Sequence, residues 1–150
     1  MHKRHPRLTA RLRRVPAWPM HFLRLFLALV YTSAGIAKLI QQPGWVSLRA
    51  DPPLLRILID PMASTLDPAF WAQFPDLFRV LGMGVIVLEL TSVLLLTRWG
   101  PFWALGGVLM HAGIWATMAL GMFSPGMLAV YPVLLAPWVI RVLDRADPVS

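Results

Sequence analysis

Apolar residues dominate four long stretches of the chain, and polar residues and prolines separate these stretches. They run from about Trp18 to Ile40, Leu77 to Thr97, Pro101 to Leu120 and Met127 to Leu143, with Asp76 placed to cap the second. Each is close to the roughly 20 residues with which a helix crosses the hydrocarbon core of a bilayer. The pattern predicts an all-α fold, a polytopic membrane bundle of four transmembrane helices.

The connection between the first two predicted helices, residues 41–76, is too long for a simple turn. Within it Pro53 opens the segment LLRILID, which ends at Pro61, and Pro68 opens the segment AFWAQF, which ends at Pro75. Short amphipathic segments of this kind are typical of interfacial or re-entrant helices. We expect short interfacial helices in this first loop, lying over the end of helix 1.

The second and third predicted helices are separated only by Arg98-Trp99-Gly100, so they form an antiparallel hairpin. Glu89 lies nine residues before this turn, and His111 lies ten residues after Pro101. At about 1.5 Å per residue, both side chains reach a depth of roughly 14 to 15 Å from the turn, near the middle of a bilayer. Whether their faces meet is left open by this count.

Composition supports a membrane protein and excludes several other classes. Of 150 residues, 57% are hydrophobic and 14% are charged, which is unusual for a soluble domain with a single core. Cysteine is absent, so the chain itself has no disulfide framework, thiolate metal site or dithiol chemistry. We expect a basic tail over residues 1–16, one transmembrane domain over 17–145 and a short tail over 146–150.

The net charge of +7 is concentrated at the start of the chain. The first 24 residues carry seven cations and no acid: Lys3, Arg4, Arg7, Arg11, Arg13, Arg14 and Arg24. Such a tail directly before an apolar helix is typical of a cytoplasmic topology signal that is also attracted to anionic lipids. It lacks the interleaved aromatic residues of a nucleic-acid-binding segment. A cleavable signal peptide begins in the same way, but Lys38 stands where its small-residue cleavage site would lie.

Cations also differ in number between the two sides of the predicted bundle. Ten lie on the side of the termini, whereas Arg49, Arg56 and Arg79 lie on the other. The positive-inside rule therefore places both termini of a multi-pass cell-membrane protein in the cytoplasm.

The candidate chemistry depends on Lys38, which interrupts the first apolar stretch. A cation in hydrocarbon costs at least a few kcal/mol and usually pairs with another group or faces a wet cavity. Glu89, the only glutamate, and His111 are its candidate partners. Together the three residues predict a catalytic polar site that transfers protons or binds a polar head group. One His and one Glu fall short of a usual ligand set, so no metal site is predicted.

Each of the three residues also has a purely structural interpretation. Lys38 can extend its stem towards the interface, Glu89 can serve as a protonated hydrogen-bonding strut, and His111 can be a helix-packing residue. Tyr31 and Gly35 share the face of Lys38 by helical spacing, and the small residue leaves room there for another helix or a ligand.

Three motifs resemble one known family in the same order. YTSAGIAKLIQQPGW is similar to the AG-x-K-L segment and following Trp of the vitamin K-dependent γ-carboxylase and its bacterial relatives, the HTTM (horizontally transferred transmembrane) proteins. VLEL, and the segment HAGIWATMALGMFSPGM with its His111 and Phe123, resemble later segments of that family. The resemblance covers about residues 31–127.

This resemblance implies a helical membrane core in which the lysine matching Lys38 deprotonates a reduced quinone. The quinol then reacts with oxygen, and the strong base so formed drives carboxylation of glutamates. It implies a quinone cofactor, with Trp45, Trp115 and Phe123 joining Tyr31 and Gly35 as ligand contacts. Here Ala37 replaces the first lysine of the family's usual pair, and the chain lacks an extramembrane domain, so we expect binding of a quinone or another lipophilic molecule rather than protein carboxylation.

The length of the chain and its four predicted spans also resemble the DoxX and MauE-type families, which are small helpers of redox or maturation systems. That resemblance implies a non-catalytic subunit with a membrane or extracytoplasmic protein as its partner. An enzyme or quinone site requires Lys38, Glu89 and His111 to converge on one cavity that is open to lipid or to the outer side. A subunit requires an exposed seam of small residues along the second and third helices, with the ionisable groups paired off and no cavity. A transporter usually shows internal inverted repeats, and none is visible.

Overall fold

The computed structural model of the chain describes residues 16–41, 43–47, 51–65 and 67–146. Most of the predicted basic tail, residues 1–15, and most of the C-terminal tail, residues 147–150, lie outside the described residues. Of the described residues, 79% are helical and none belongs to a strand. The all-α prediction is therefore confirmed.

The described part of the chain contains four long helices and two short ones. The long helices are α1 (Trp18–Gln41), α4 (Pro75–Leu90), α5 (Gly100–Thr117) and α6 (Phe123–Ala146). The short helices α2 (Pro53–Leu58) and α3 (Pro68–Trp71) lie in the connection between α1 and α4, where the sequence predicts them. Two short 3₁₀ segments, Pro43–Trp45 and Ser92–Leu96, complete the helical structure of the described residues.

Helix α1 matches its prediction closely and buries one face only. Leu27, Tyr31 and Gly35 are buried at a spacing of four residues, which is the repeat of one helical face. Phe22 and Leu29, on other faces, are exposed. The inner face of α1 therefore presents a tyrosine and a glycine to the rest of the bundle.

Helix α4 is shorter than predicted at its C-terminal end, and its N-cap is a different residue. The prediction of a helix reaching Thr97 and capped by Asp76 is wrong, because the helix begins at Pro75 behind the N-cap Phe74 and ends at Leu90. Asp76 lies inside the first turn and forms an ion pair with Arg79. A 3₁₀ segment, Ser92–Leu96, continues the chain in the same direction.

Two hydroxyl groups explain why the α-helix stops there. The Thr91 hydroxyl donates to the Val87 carbonyl at 2.6 Å and so competes with the backbone ladder. The Ser92 hydroxyl donates to the Ala28 carbonyl of α1 at 2.8 Å, which holds the tighter segment against α1.

The ends of α5 and α6 also differ from their predicted positions. Helix α5 ends at Thr117 instead of Leu120, because the following backbone pairs with the connection between α2 and α3: the Ala119 amide donates to the Ala63 carbonyl at 2.8 Å. Helix α6 begins at Phe123, one turn before the predicted start, and carries Pro132 and Pro137 within it. Its last described turn passes the predicted end at Leu143.

The connection between α1 and α4 packs over the end of the bundle that carries Gln41. We call its described residues, 43–47, 51–65 and 67–74, the cap. Buried side chains of α2, Leu55 and Leu58, form a small apolar core with Phe78 of α4 and Met118 beyond α5. The backbone pairing at Ala63 ties this cap to the end of α5. The short helix α2 packs on α4 and on the end of α5; that the short helices lie over the end of helix 1 stays a prediction.

The long helices pack mainly in two pairs, α1 with α4 and α5 with α6. A larger apolar core joins the pairs, and it is centred on aromatic side chains. Its buried members are Leu27, Tyr31, Leu95, Trp103, Ala104, Tyr131 and Leu134. Helices α4 and α5, which the sequence predicts to form a hairpin, contact each other less than each contacts its own partner helix.

Two of the described helices are long and apolar enough to cross a membrane by length and composition: Trp18–Gln41 and the Phe123–Leu143 part of α6. Helix α4 does not reach this length alone, since it has 16 residues. Helix α5 has 18 residues but contains a proline, a histidine and three glycines besides Gly100 at its start. The predicted count of four spans stays a prediction.

Candidate functional site

An ion pair between α1 and α4 lies inside the bundle, near the cap. Lys38 Nζ lies 2.5 Å from Glu89 Oε1. Glu89 is 5% exposed, whereas Lys38 is partly buried. The ammonium group also lies 5.5 Å from the centre of the Trp45 ring, within cation–π range. The lysine is therefore held between a carboxylate of the bundle and an aromatic ring of the cap.

Gly35 sets the distance between the two helices that carry this ion pair. A Cβ atom at position 35 would lie 3.1 Å from Glu89 Cβ and 3.0 Å from Leu90 Cδ2. A methyl group at this position would require Glu89 or Leu90 to shift by a few tenths of an ångström, so glycine favours the close approach of α1 to α4. The lysine stem, one turn further along α1, then reaches back to the carboxylate.

A second polar group lies deeper in the bundle, where α1, α5 and α6 meet. The Tyr31 hydroxyl oxygen lies 2.6 Å from His111 Nε2 and 2.9 Å from the Tyr131 hydroxyl oxygen. All three side chains are buried, and His111 is 1% exposed. Tyr31 thus links one helix from each of the two helix pairs through a continuous hydrogen-bonded chain.

Small and aromatic side chains hold this chain of hydrogen bonds in place. A Cβ atom at Gly107 would lie 2.6 Å from Tyr131 Cζ, so the glycine leaves the space that the tyrosine ring occupies. The Trp103 ring packs edge-on against Tyr31, with centroids 5.0 Å apart. Its indole Nε1 donates to the Leu88 carbonyl at 2.8 Å, which fixes the ring and links α5 to α4.

Glu89 and His111 do not share a hydrogen bond in the described structure, although the sequence places them at the same depth. Tyr31 is hydrogen bonded to His111, and Gly35, one turn further along the same face of α1, packs against Glu89. The ion pair and the hydrogen-bonded chain are therefore neighbouring parts of one polar interior. We refer to Lys38, Glu89, Tyr31, His111 and Tyr131 together as the interior site.

Three buried side-chain atoms at or beside the interior site have no hydrogen-bond partner among the described residues. They are Glu89 Oε2, His111 Nδ1 and Ser124 Oγ. A buried polar atom without a partner costs about 1–3 kcal/mol, so such atoms are uncommon in folded proteins. Here they are free to receive the polar atoms of a ligand or of water.

The residues predicted to contact a ligand fall into two groups. Tyr31, Gly35 and Trp45 lie at the interior site, and the Phe123 ring packs against His111 with centroids 5.6 Å apart. Trp115 is 59% exposed and lies on an outer face of α5, one turn beyond His111. The structure therefore pairs Lys38 with Glu89, places His111 in the neighbouring group with Tyr31 and Tyr131, and puts Trp115 on an outer face. Their roles in binding or catalysis stay predictions.

Sequence reasoning missed Tyr131 and the polar link between α1 and the 3₁₀ segment. In that link Thr32 Oγ1 and Ser92 Oγ lie 2.8 Å apart. Tyr131 had a signal in the sequence, because it is one of only two tyrosines and it lies well inside an apolar stretch rather than at an interface. Ser92 had no comparable signal, since single hydroxyls are common in apolar helices.

Among the described residues, no group of three or more His, Cys, Asp or Glu side chains is placed to hold a metal ion. Comparison of the chain with family models, curated proteins and solved structures gave no match. The function is therefore inferred from the residues of the interior site.

Proposed function

We propose that this chain is a four-span membrane protein whose interior site binds a quinone or another lipophilic ligand with a polar head and supports acid–base chemistry on it. The observation that carries the proposal is that polar side chains lie inside the helix bundle while apolar side chains cover its surface. Glu89 and His111 are buried and linked to Lys38 and Tyr31, while large apolar side chains cover the outside of the same helices. Lipid is the solvent that such a surface fits.

Burial supports the assignment of α1 and α6 to the membrane. Only 22% of the apolar window in α1 and 11% of that in α6 are buried within the chain. The core helix of a soluble protein would be mostly buried, whereas a lipid-facing helix leaves most of its apolar surface outside the protein. Exposed residues such as Phe26 on α1 and Val133 on α6 belong to this surface.

The lengths of the other two helices also fit a bilayer of about 30 Å. Helix α4 rises about 24 Å over its 16 residues, and the 3₁₀ segment adds about 10 Å over five residues. Helix α5, with 18 residues, rises about 27 Å. With four spans both termini share one side, and the excess of cations there favours the cytoplasm.

The interior site offers a ligand both a cation and free acceptors. Lys38 presents an ammonium group, and Glu89 Oε2 and His111 Nδ1 are the unpaired atoms. Lys38 donates one hydrogen bond to the Glu89 carboxylate, so we assign its remaining N–H groups to a hydrogen bond with a ligand oxygen. Glu89 and His111 are the groups with an unoccupied atom that can accept a ligand's hydroxyl proton. This division of roles differs from the carboxylase-like family, in which the lysine is the base.

The test is equilibrium binding of menadione, a small naphthoquinone, to the protein in nanodiscs. Wild type is compared with Lys38→Ala and His111→Ala. Arg56→Ala and His21→Ala are the matched controls, because both residues are exposed and lie outside the interior site. We expect saturable binding that both site variants weaken by about tenfold or more, as befits a charge-assisted hydrogen bond of about 1.5–3 kcal/mol, and that the controls leave unchanged.

Absence of saturable binding to folded wild type would contradict the proposed ligand class. Equal binding by wild type and both site variants would contradict the proposed site. If binding holds, oxygen uptake in the presence of reduced menadione then tests for turnover. A rate that depends on Lys38 and His111 would identify an enzyme, in line with a carboxylase-like core.

The second candidate is a non-catalytic membrane subunit of the DoxX or MauE type. It is favoured by the pairing of Lys38 with Glu89, which satisfies the lysine without any ligand. Gly84 on α4 and Gly113 on α5 are exposed, and a Cβ atom at either would meet nothing within 4 Å. Small exposed positions in spans permit close approach of a partner helix. Loss of a co-purifying membrane protein in Gly84→Leu and Gly113→Leu variants, with no quinone binding by wild type, would favour this function.

A further inference from the structure

Two of the unpaired buried atoms lie on facing helices, His111 Nδ1 on α5 and Ser124 Oγ on α6. Both residues are 1% exposed, so bulk solvent does not satisfy them. Ser124 takes part in none of the hydrogen bonds described above, and the sequence gave it no role. Because a buried hydroxyl without a partner destabilises the folded chain, its presence requires another explanation.

The register of the two helices places these atoms near each other. Helices α5 and α6 are joined by a short turn and pack along each other, so they are antiparallel. The Tyr131 ring fills the space beside Gly107, which aligns these two positions. Counting from this alignment, Ser124 lies about one helical turn from the level of His111, towards the cap.

Phe123 covers this place from the outside. Its ring packs against His111 at 5.6 Å between centroids, while more than half of its surface is exposed. The ring therefore stands between His111 and the apolar surroundings of α6. A ligand that reaches His111 from this side must displace the Phe123 ring.

We propose that one oxygen of the ligand's head group binds between His111 Nδ1 and Ser124 Oγ, entering from the lipid past Phe123. This inference rests on the proposed function and deepens it, because it names the two side chains that hold the ligand's head group.

The hydrogen-bonded chain of His111, Tyr31 and Tyr131 lets the site bind either the quinone or the quinol. A neutral imidazole donates from one nitrogen and accepts at the other. When Tyr31 donates to Nε2, Nδ1 carries the hydrogen and binds a quinone carbonyl. When Nε2 donates to Tyr31, Nδ1 accepts from a quinol hydroxyl, and Tyr31 donates to Tyr131 instead. The Ser124 hydroxyl serves as donor or acceptor, so it fits both forms.

The test compares menadione with 2-methylnaphthalene, which has the same rings and no oxygen, on wild type and Ser124→Ala in nanodiscs. Ser33→Ala is the matched control, since Ser33 is exposed on α1. We expect Ser124→Ala to weaken menadione binding about fivefold, the weight of one neutral hydrogen bond, with binding of the hydrocarbon unchanged. The thermal midpoint of the ligand-free variant should equal or exceed that of wild type, because the substitution removes an unpaired hydroxyl.

Each other outcome overturns the inference in a distinguishable way. If wild type and Ser124→Ala bind menadione equally, the Ser124 contact is wrong and the proposed function stands. If the variant weakens both probes equally, or lowers the ligand-free midpoint, Ser124 has a packing role only. If wild type binds neither probe, the proposed function itself fails, and this inference fails with it.

Discussion

The Tyr31 hydroxyl oxygen lies 2.6 Å from His111 Nε2 and joins two helices whose residues are 80 positions apart in the chain. The same oxygen lies 2.9 Å from the Tyr131 hydroxyl. One tyrosine therefore satisfies polar groups from two other helices in an otherwise apolar core. An apolar core offers the polar groups of His111 and Tyr131 few other hydrogen-bond partners. Tyr31 therefore fixes how the two helix pairs pack against each other.

Tyr31→Phe should destabilise the protein more than Tyr131→Phe does. The first substitution removes two hydrogen bonds and leaves His111 Nε2 and the Tyr131 hydroxyl unpaired, which we expect to cost about 2–3 kcal/mol. The second removes one bond and keeps the link to His111, at about 1 kcal/mol. The measurement is the free energy of unfolding in detergent. Equal losses in the two variants would show that Tyr31 is not the centre of this chain.

Removing one partner of the Lys38–Glu89 ion pair should lower the free energy of unfolding more than removing both partners does. Glu89→Leu leaves the Lys38 ammonium without its carboxylate in a partly buried position, and we expect a loss of about 3 kcal/mol. Lys38→Met with Glu89→Leu removes both charges and should recover most of that loss. A double-mutant cycle of unfolding free energies measures the coupling.

The exposed ion pair of the cap is the control for this cycle. Asp51 and Arg56 lie 3.7 Å apart at the surface, with both side chains largely exposed. Asp51→Ala should change the free energy of unfolding by less than about 1 kcal/mol, because solvent screens such pairs. A loss as large as that of Glu89→Leu would show that burial does not distinguish the two pairs.

Alanine substitutions at two glycines of α5 should differ in their effect on the stability of the protein. At Gly107 a methyl group would collide with the Tyr131 ring, so Gly107→Ala should cost about 1–3 kcal/mol, as overpacking does. At Gly113 a methyl group meets nothing within 4 Å, so Gly113→Ala should be neutral or stabilising by up to about 1 kcal/mol through helix propensity. Thermal unfolding of the two variants, measured side by side, checks this. Equal effects would mean that Tyr131 does not depend on the space at Gly107.

Chemical labelling of single introduced cysteines tests the four predicted spans. The chain itself contains no cysteine, so each label reports on one position only. Cysteines replacing the exposed Met62 and Met122 should react with a membrane-impermeant maleimide added to intact cells. A cysteine replacing Thr97, which follows the 3₁₀ segment Ser92–Leu96 at the end of the bundle away from the cap, should react only after permeabilisation. Labelling of all three from outside, or of only one of the two methionine positions, would contradict four spans with cytoplasmic termini.

The sequence by itself determined the helices and their apolar character. Apolar runs between prolines predict α1 almost to the residue, and Pro53 and Pro68 mark the starts of α2 and α3. These features are local, because hydrogen bonds within a helix and the placement of proline depend on neighbours in the chain. The polar residues within such runs also identify Lys38, Glu89 and His111 as candidates before any contact is known.

Only the tertiary structure decided which of these groups meet. Depth along a helix follows from counting residues, but the direction of a side chain around the bundle depends on packing. Gly35 brings α1 close enough for Lys38 to reach Glu89, and Gly107 makes room for Tyr131, so His111 meets a tyrosine instead of the glutamate at its own depth. The early end of α4 has the same origin, because Ser92 bonds to a carbonyl of α1 that lies 64 positions away in the chain. Contacts between distant segments have no local pattern, and the fold alone supplies them.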